Sequence, residues 1–134
     1  MIQHVLLDTG PLVASINRKD RFHAWTRMQL EEIAPPLLTC EPVLAESCFL
    51  LQAYPGGSAA VLELVNRGIV KVAFQVEEHI PSIAKLMSKY AGIPMSLADA
   101  CLVRMSELDS QAKIMTIDAD FQVYRRHGRQ AIPL

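Results

Sequence analysis

Four acidic residues stand where a carboxylate is conspicuous: Asp8, Glu46, Asp99 and Asp118. Asp8 ends the apolar run Val5-Leu6-Leu7, and Asp118 ends Lys113-Ile114-Met115-Thr116-Ile117. Glu46 interrupts Val43-Leu44-Ala45-Glu46-Ser47-Cys48-Phe49, and Asp99 interrupts Ser96-Leu97-Ala98-Asp99-Ala100-Cys101-Leu102. A charge set among apolar neighbours is expensive unless it is paired or bound to metal. Hard oxygen donors with no adjacent histidine or thiolate suit Mg²⁺ or Mn²⁺ rather than zinc. Clustered without metal, such carboxylates repel one another and some are driven toward protonation. A divalent ion removes that penalty, activates water and neutralises charge on a phosphodiester.

Each acid also has an ordinary explanation. Asp99 lies three residues after Ser96, the spacing of a capping box, and acids favour helix N-termini. Glu46 could pair with an arginine, and Asp8 and Asp118 could each begin a turn. Asp120 reads as an exposed residue or an N-cap. Thr9 and Thr116 could contact a ligand, or could be structural residues at strand ends. The ordinary explanations must hold independently, whereas one metal site accounts for all four acids.

The elements that position these residues can be read in order. Val5 to Leu7 is a short apolar run closed by turn residues, as expected of a strand buried on both faces in a parallel sheet. Helices are expected over Pro11–Ile16, with Pro11 in the first turn, and over about Arg21–Ile33, ended by Pro35-Pro36. Leu37–Thr39 reads as a strand, and Pro42 opens a helix through Leu51 that Tyr54-Pro55-Gly56-Gly57 closes. Ser58 is the expected cap of the next helix, which stops at Gly68. Ile69–Phe74 reads as a strand and Glu77–Tyr90 as an amphipathic helix. Ser96 opens a helix to about Leu108, Lys113–Ile117 is a strand, and Ala119–Arg126 a short helix. Ala131–Leu134 is expected as an edge strand, where Pro133 is tolerated. Strands alternating with helices predict an α/β fold with a parallel sheet covered on both faces, as one domain over residues 1–134.

Composition narrows the function classes. The 134 residues are 51% hydrophobic with a formal net charge of −1, which argues against disorder and against a global basic pull toward nucleic acid. A nucleic-acid partner would therefore need local cations or a bound metal. Two basic groups could flank the acidic crevice and hold phosphates: Arg18, Lys19 and Arg21, and Arg125, Arg126 and Arg129. An ordinary solvated surface is the alternative for both. Cys40, Cys48 and Cys101 are odd in number and lie in apolar segments, as expected of reduced core thiols. No basic region precedes the first apolar run, and no stretch approaches the ~18 apolar residues of a membrane span. A soluble cytoplasmic protein without a membrane partner is the expectation.

Taken together, Leu7-Asp8-Thr9, Val43-Leu44-Ala45-Glu46, Ser96-Leu97-Ala98-Asp99-Ala100 and Thr116-Ile117-Asp118-Ala119-Asp120-Phe121 resemble the PIN-domain ribonucleases. The chain is similar in size and layout to the VapC-type toxins of toxin–antitoxin pairs, and the four pieces occur in order over nearly its whole length. The resemblance implies a three-layer α/β/α sandwich around a mostly parallel five-stranded sheet. It also implies a Mg²⁺- or Mn²⁺-dependent endoribonuclease, commonly a homodimer, with an RNA substrate and an antitoxin partner. Asp8, Glu46, Asp99 and Asp118 fall on the family's acidic positions, Thr116 on the hydroxyl of its T-x-D motif, and Asp120 on a position acidic only in some members.

Two other classes compete with that expectation. A catalytically silent interaction module would use the apolar helices between Phe22 and Tyr54 as its binding surface. A phospho-acceptor receiver domain also places acids at strand ends, but the paired acid and the late lysine it requires are not evident.

Overall fold

The computed structural model describes residues Met1–Leu134. Four short strands form one parallel sheet: β1 (Val5–Leu7), β2 (Leu37–Thr39), β3 (Val70–Val72) and β4 (Lys113–Met115), in the order β3-β2-β1-β4. Leu6 is opposite both Leu38 and Ile114, so β1 is flanked on each side, and all three of its residues are buried. That placement explains why its sequence is continuously apolar rather than alternating.

Six α-helices connect and cover the sheet: α1 (Thr9–Ile16), α2 (His23–Glu31), α3 (Glu41–Leu50), α4 (Gly57–Asn66), α5 (Ile80–Lys89) and α6 (Leu97–Leu108). Helix α1 packs on α2, α3 and α4, while α6 packs on β1 and β4 and carries α5. Helix α6 has the densest core face, with Ala98, Ala100, Cys101, Leu102, Val103 and Met105 all buried. The three cysteines are free, and Cys40 and Cys101 are fully buried, as expected of core thiols.

The strand order contains the feature that matters for function. The chain steps outward from β1 to β2 to β3, then crosses back to place β4 on the other side of β1. The connections leaving the carboxyl ends of β1 and β4 therefore diverge, which opens a crevice at the switch point of an open parallel sheet.

Several expected boundaries move. The sheet has four parallel strands instead of five. The fifth was expected at Ala131–Leu134, but Gln130–Ala131 pairs antiparallel with Arg125–Arg126 to make a separate hairpin of strands β6 and β5. The tail still reaches the β4 edge through one bond, from Ile114 N–H to Pro133 O at 2.9 Å. The helix expected over Ala119–Arg126 is only a 3-10 turn, Ala119–Gln122. Beyond it, the hairpin turn has positive φ at His127 (52°) and Gly128 (81°), the signature of a type I′ connection. The helix expected from Glu77 divides into a 3-10 turn, Val76–His79, and α5, because Pro81 sits in the first turn of α5 and has no N–H to continue an earlier ladder. The N-cap of α4 is Gly56, not Ser58, and its φ of 71° is one that glycine adopts without strain.

Candidate active site

Asp8 occupies the first residue past β1 and is the N-cap of α1. Its amide extends the sheet by donating to Met115 O at 3.1 Å. Its side chain is held at both oxygens: Oδ1 accepts from Thr9 N–H at 2.8 Å, and Oδ2 accepts from Thr116 Oγ1 at 2.7 Å. The same Thr116 hydroxyl accepts from Asp118 N–H at 2.9 Å. Asp118 in turn caps the 3-10 turn, its Oδ1 accepting from Asp120 N–H at 2.9 Å. One hydroxyl thus ties the acid at the end of β1 to the acid beyond β4.

Gly10 allows this proximity. A Cβ built there would lie 2.6 Å from Ile117 Cγ1, so only a residue without a side chain lets the first turn of α1 approach the Thr116-Ile117-Asp118 segment.

Asp99 reaches the cleft from the start of α6. The capping box is real: Ser96 Oγ accepts from Asp99 N–H at 3.0 Å, and Asp99 Oδ2 accepts from Ser96 N–H at 3.1 Å. Capping and cleft lining are therefore compatible, because only Oδ2 is engaged. Tyr124 OH adds a 3.5 Å contact to that same oxygen. Glu46 is on α3 and is exposed, rather than embedded as its neighbours suggest. No ion pair engages it, nor any of the other three acids; the chain's salt bridges use Asp109, Glu63 and Glu107.

All four carboxylates line one open cleft of about 410 Å³, together with Thr9, Gly10, Leu50, Ile117 and Ala119. Its electrostatics follow from that company. Burial pushes Asp8 from the ordinary 3.8 up to about 6, against the lowering by Thr116 and Thr9, and the charges of Asp99 and Asp118 push it further up. Burial also raises Asp99, with Asp118 and Glu46 adding repulsion. Burial and the nearby Asp99 raise the Tyr124 hydroxyl, so it remains a protonated donor.

The donor chemistry fits a hard divalent cation. Asp99 Oδ1, Asp118 Oδ2 and the Glu46 carboxylate have no hydrogen-bond partner within the chain. Thr9 Oγ1 is buried in the same cleft and also lacks a partner. The side chains do not yet converge, since no three acids, histidines or cysteines are gathered tightly enough to grip an ion.

The remaining sequence candidates separate. Asp120 contributes its amide to Asp118 and does not line the cleft. Lys19 lines a neighbouring depression that shares Leu50 with the acidic cleft, and Arg18 and Arg21 are exposed close by in the chain. Arg125 instead bonds the carbonyls of Gln122, Val123 and Tyr124, and Arg126 bonds those of Ser106 and Ser110. Sequence reasoning missed Tyr124, whose ring is fully buried between Tyr90 and Phe121. Its link to Asp99 is a tertiary contact with no local spacing signal.

Residues 5–126 match the PIN domain family, and the chain belongs to that family. Among solved structures it is similar to Mycobacterium tuberculosis VapC20, a toxin that cleaves the sarcin–ricin loop. The TM-score is 0.76 at 21% identity, covering 89% of this chain and 93% of that one. No curated protein matches the chain.

Proposed function

We propose that this chain is a single PIN domain over residues 1–134 acting as a Mg²⁺- or Mn²⁺-dependent endoribonuclease, the toxin of a cytoplasmic toxin–antitoxin pair. The observation that carries the reading is that Asp8, Glu46, Asp99 and Asp118, from four separate elements, line one cleft without a cationic partner. Those four residues would hold the metal, which when bound supplies a Lewis acid that activates water and offsets charge on the phosphodiester. Asp8 is the fixed member, immobilised by Thr9 and Thr116 and kept rigid by β1. Asp99 is oriented through Oδ2 by Ser96 and Tyr124, which leaves Oδ1 to face the cleft. Glu46 is the unanchored member, exposed on α3 and without a hydrogen-bond partner. Lys19, which lines the depression beside the cleft, would meet a substrate phosphate. The likeness to a toxin that cleaves the sarcin–ricin loop supports RNA as the substrate class.

The test is cleavage of RNA in Mn²⁺. Activity is expected in the native chain and absent in Asp8→Asn and Asp99→Asn; cleavage unchanged in both variants refutes the reading.

The alternative, a catalytically silent interaction module, draws on exposed Met28 and Phe49 on α2 and α3. The same surface would serve the homodimer or antitoxin contacts of an active nuclease. Calorimetric titration separates the two: Mn²⁺ binding that requires Asp8 and Asp118 supports the nuclease, and its absence supports the module.

A further inference from the structure

A second groove, of about 470 Å³, runs beside β4. It shares Ile117, Asp118 and Ala119 with the acidic cleft, so the two depressions adjoin along that segment. Its lining is otherwise unlike the cleft. Lys113 and Asp118 are its only charged side chains, and the rest is apolar except for Gln29, Thr116 and Gln122. Trp25, the sole tryptophan, lines it and remains 40% exposed although its neighbour Thr26 is fully buried. Trp25 and Gln29 are four residues apart on α2, hence on one face of that helix.

We propose that this groove is a nucleobase subsite, in which a base adjoining the scissile phosphate stacks on Trp25 and is read by the amides of Gln29 and Gln122. The proposal rests on the nuclease reading and names where that enzyme grips its substrate. The groove has no cation cluster to attract a phosphate, and Asp118 in its lining repels one. A neutral, flat, polar-edged group fits both the apolar walls and the two amides. Single-stranded RNA is recognised in this way, by unstacked bases laid on aromatic rings with hydrogen bonds to their edges.

Because Trp25 is the only tryptophan, its emission reports on this groove alone. The native chain is titrated in EDTA with a short single-stranded RNA, with the matching abasic ribose-phosphate oligomer, and with an extended apolar peptide. Quenching by RNA and not by the abasic oligomer is expected. Trp25→Ala should weaken RNA binding by about 10- to 100-fold, and Trp25→Phe should restore most of it. Equal response to both oligomers, or a response to the peptide alone, overturns the subsite. Asp8-dependent cleavage that is indifferent to Trp25→Ala also overturns it and leaves the nuclease reading intact. Base-dependent quenching in a chain that cleaves nothing sustains the subsite and refutes the nuclease.

Discussion

Thr116 donates its hydroxyl hydrogen to Asp8 Oδ2 at 2.7 Å across 108 residues of sequence, while its oxygen accepts the amide of Asp118 at 2.9 Å. Thr116→Val keeps the shape and removes both bonds. The variant should lose about 1–3 kcal/mol of stability, the cost of leaving partly buried polar groups unsatisfied. It should also raise the Asp8 carboxyl further, since that hydroxyl lowers it. Chemical denaturation measures the first effect, and an upward shift of the acidic limb of the pH–activity profile measures the second; Thr116→Ser should restore both.

Asp8 is protonated more readily in the folded chain, at about 6, than in the unfolded one, at 3.8. Between those values the folded state binds more protons, so stability falls as pH rises through the window and stays low above it. The shift corresponds to roughly 3 kcal/mol at neutral pH. Asp8→Asn removes the titration and should be more stable than the native chain at pH 7 without metal, with the advantage disappearing toward pH 4. Thermal unfolding across that range checks it.

Metal should reverse that penalty in the native chain only. A cation bound by the folded state stabilises by mass action, about 2.7 kcal/mol at a hundredfold excess over Kd. Mn²⁺ should raise the native Tm and leave those of Asp8→Asn and Asp118→Asn unmoved, as read by differential scanning calorimetry.

Gly10→Ala should destabilise by about 1–3 kcal/mol, because its new Cβ overlaps Ile117 Cγ1. Ile117→Ala in the same chain should relieve part of the loss, a coupling visible in a double-mutant cycle. Gly92→Ala, which meets nothing within 4 Å, is the control and should be near neutral.

The two basic groups should respond differently. Lys19→Ala should weaken RNA binding and flatten its salt dependence by about one unit of slope. Arg126→Met should lower stability, through the lost carbonyl bonds at the end of α6, with little change in RNA affinity.

The parts of this fold that were legible in the sequence are those with local causes. β1 and β4 declare themselves by apolar runs ending in acids, and the α6 start by Ser96 and Asp99, whose capping bonds need only three residues of spacing. The C-terminal region was not legible. His127-Gly128 provides the turn that Asn-Gly would have advertised, and Arg125 and Arg126 look like helix residues until their guanidiniums fold back onto carbonyls. Glu46 misled for a different reason. Its apolar neighbours suggest burial, yet Ala45, Phe49 and Leu50 on the same helix are exposed as well. Gly10 and Tyr124 matter through contacts that no local pattern encodes.

The return of the chain from β3 to the far side of β1 has a consequence for biosynthesis. Asp8 leaves the ribosome early, but its partner hydroxyl and Asp118 are added only when β4 is made. A nascent chain therefore carries an incomplete set of carboxylates until translation has passed Asp118.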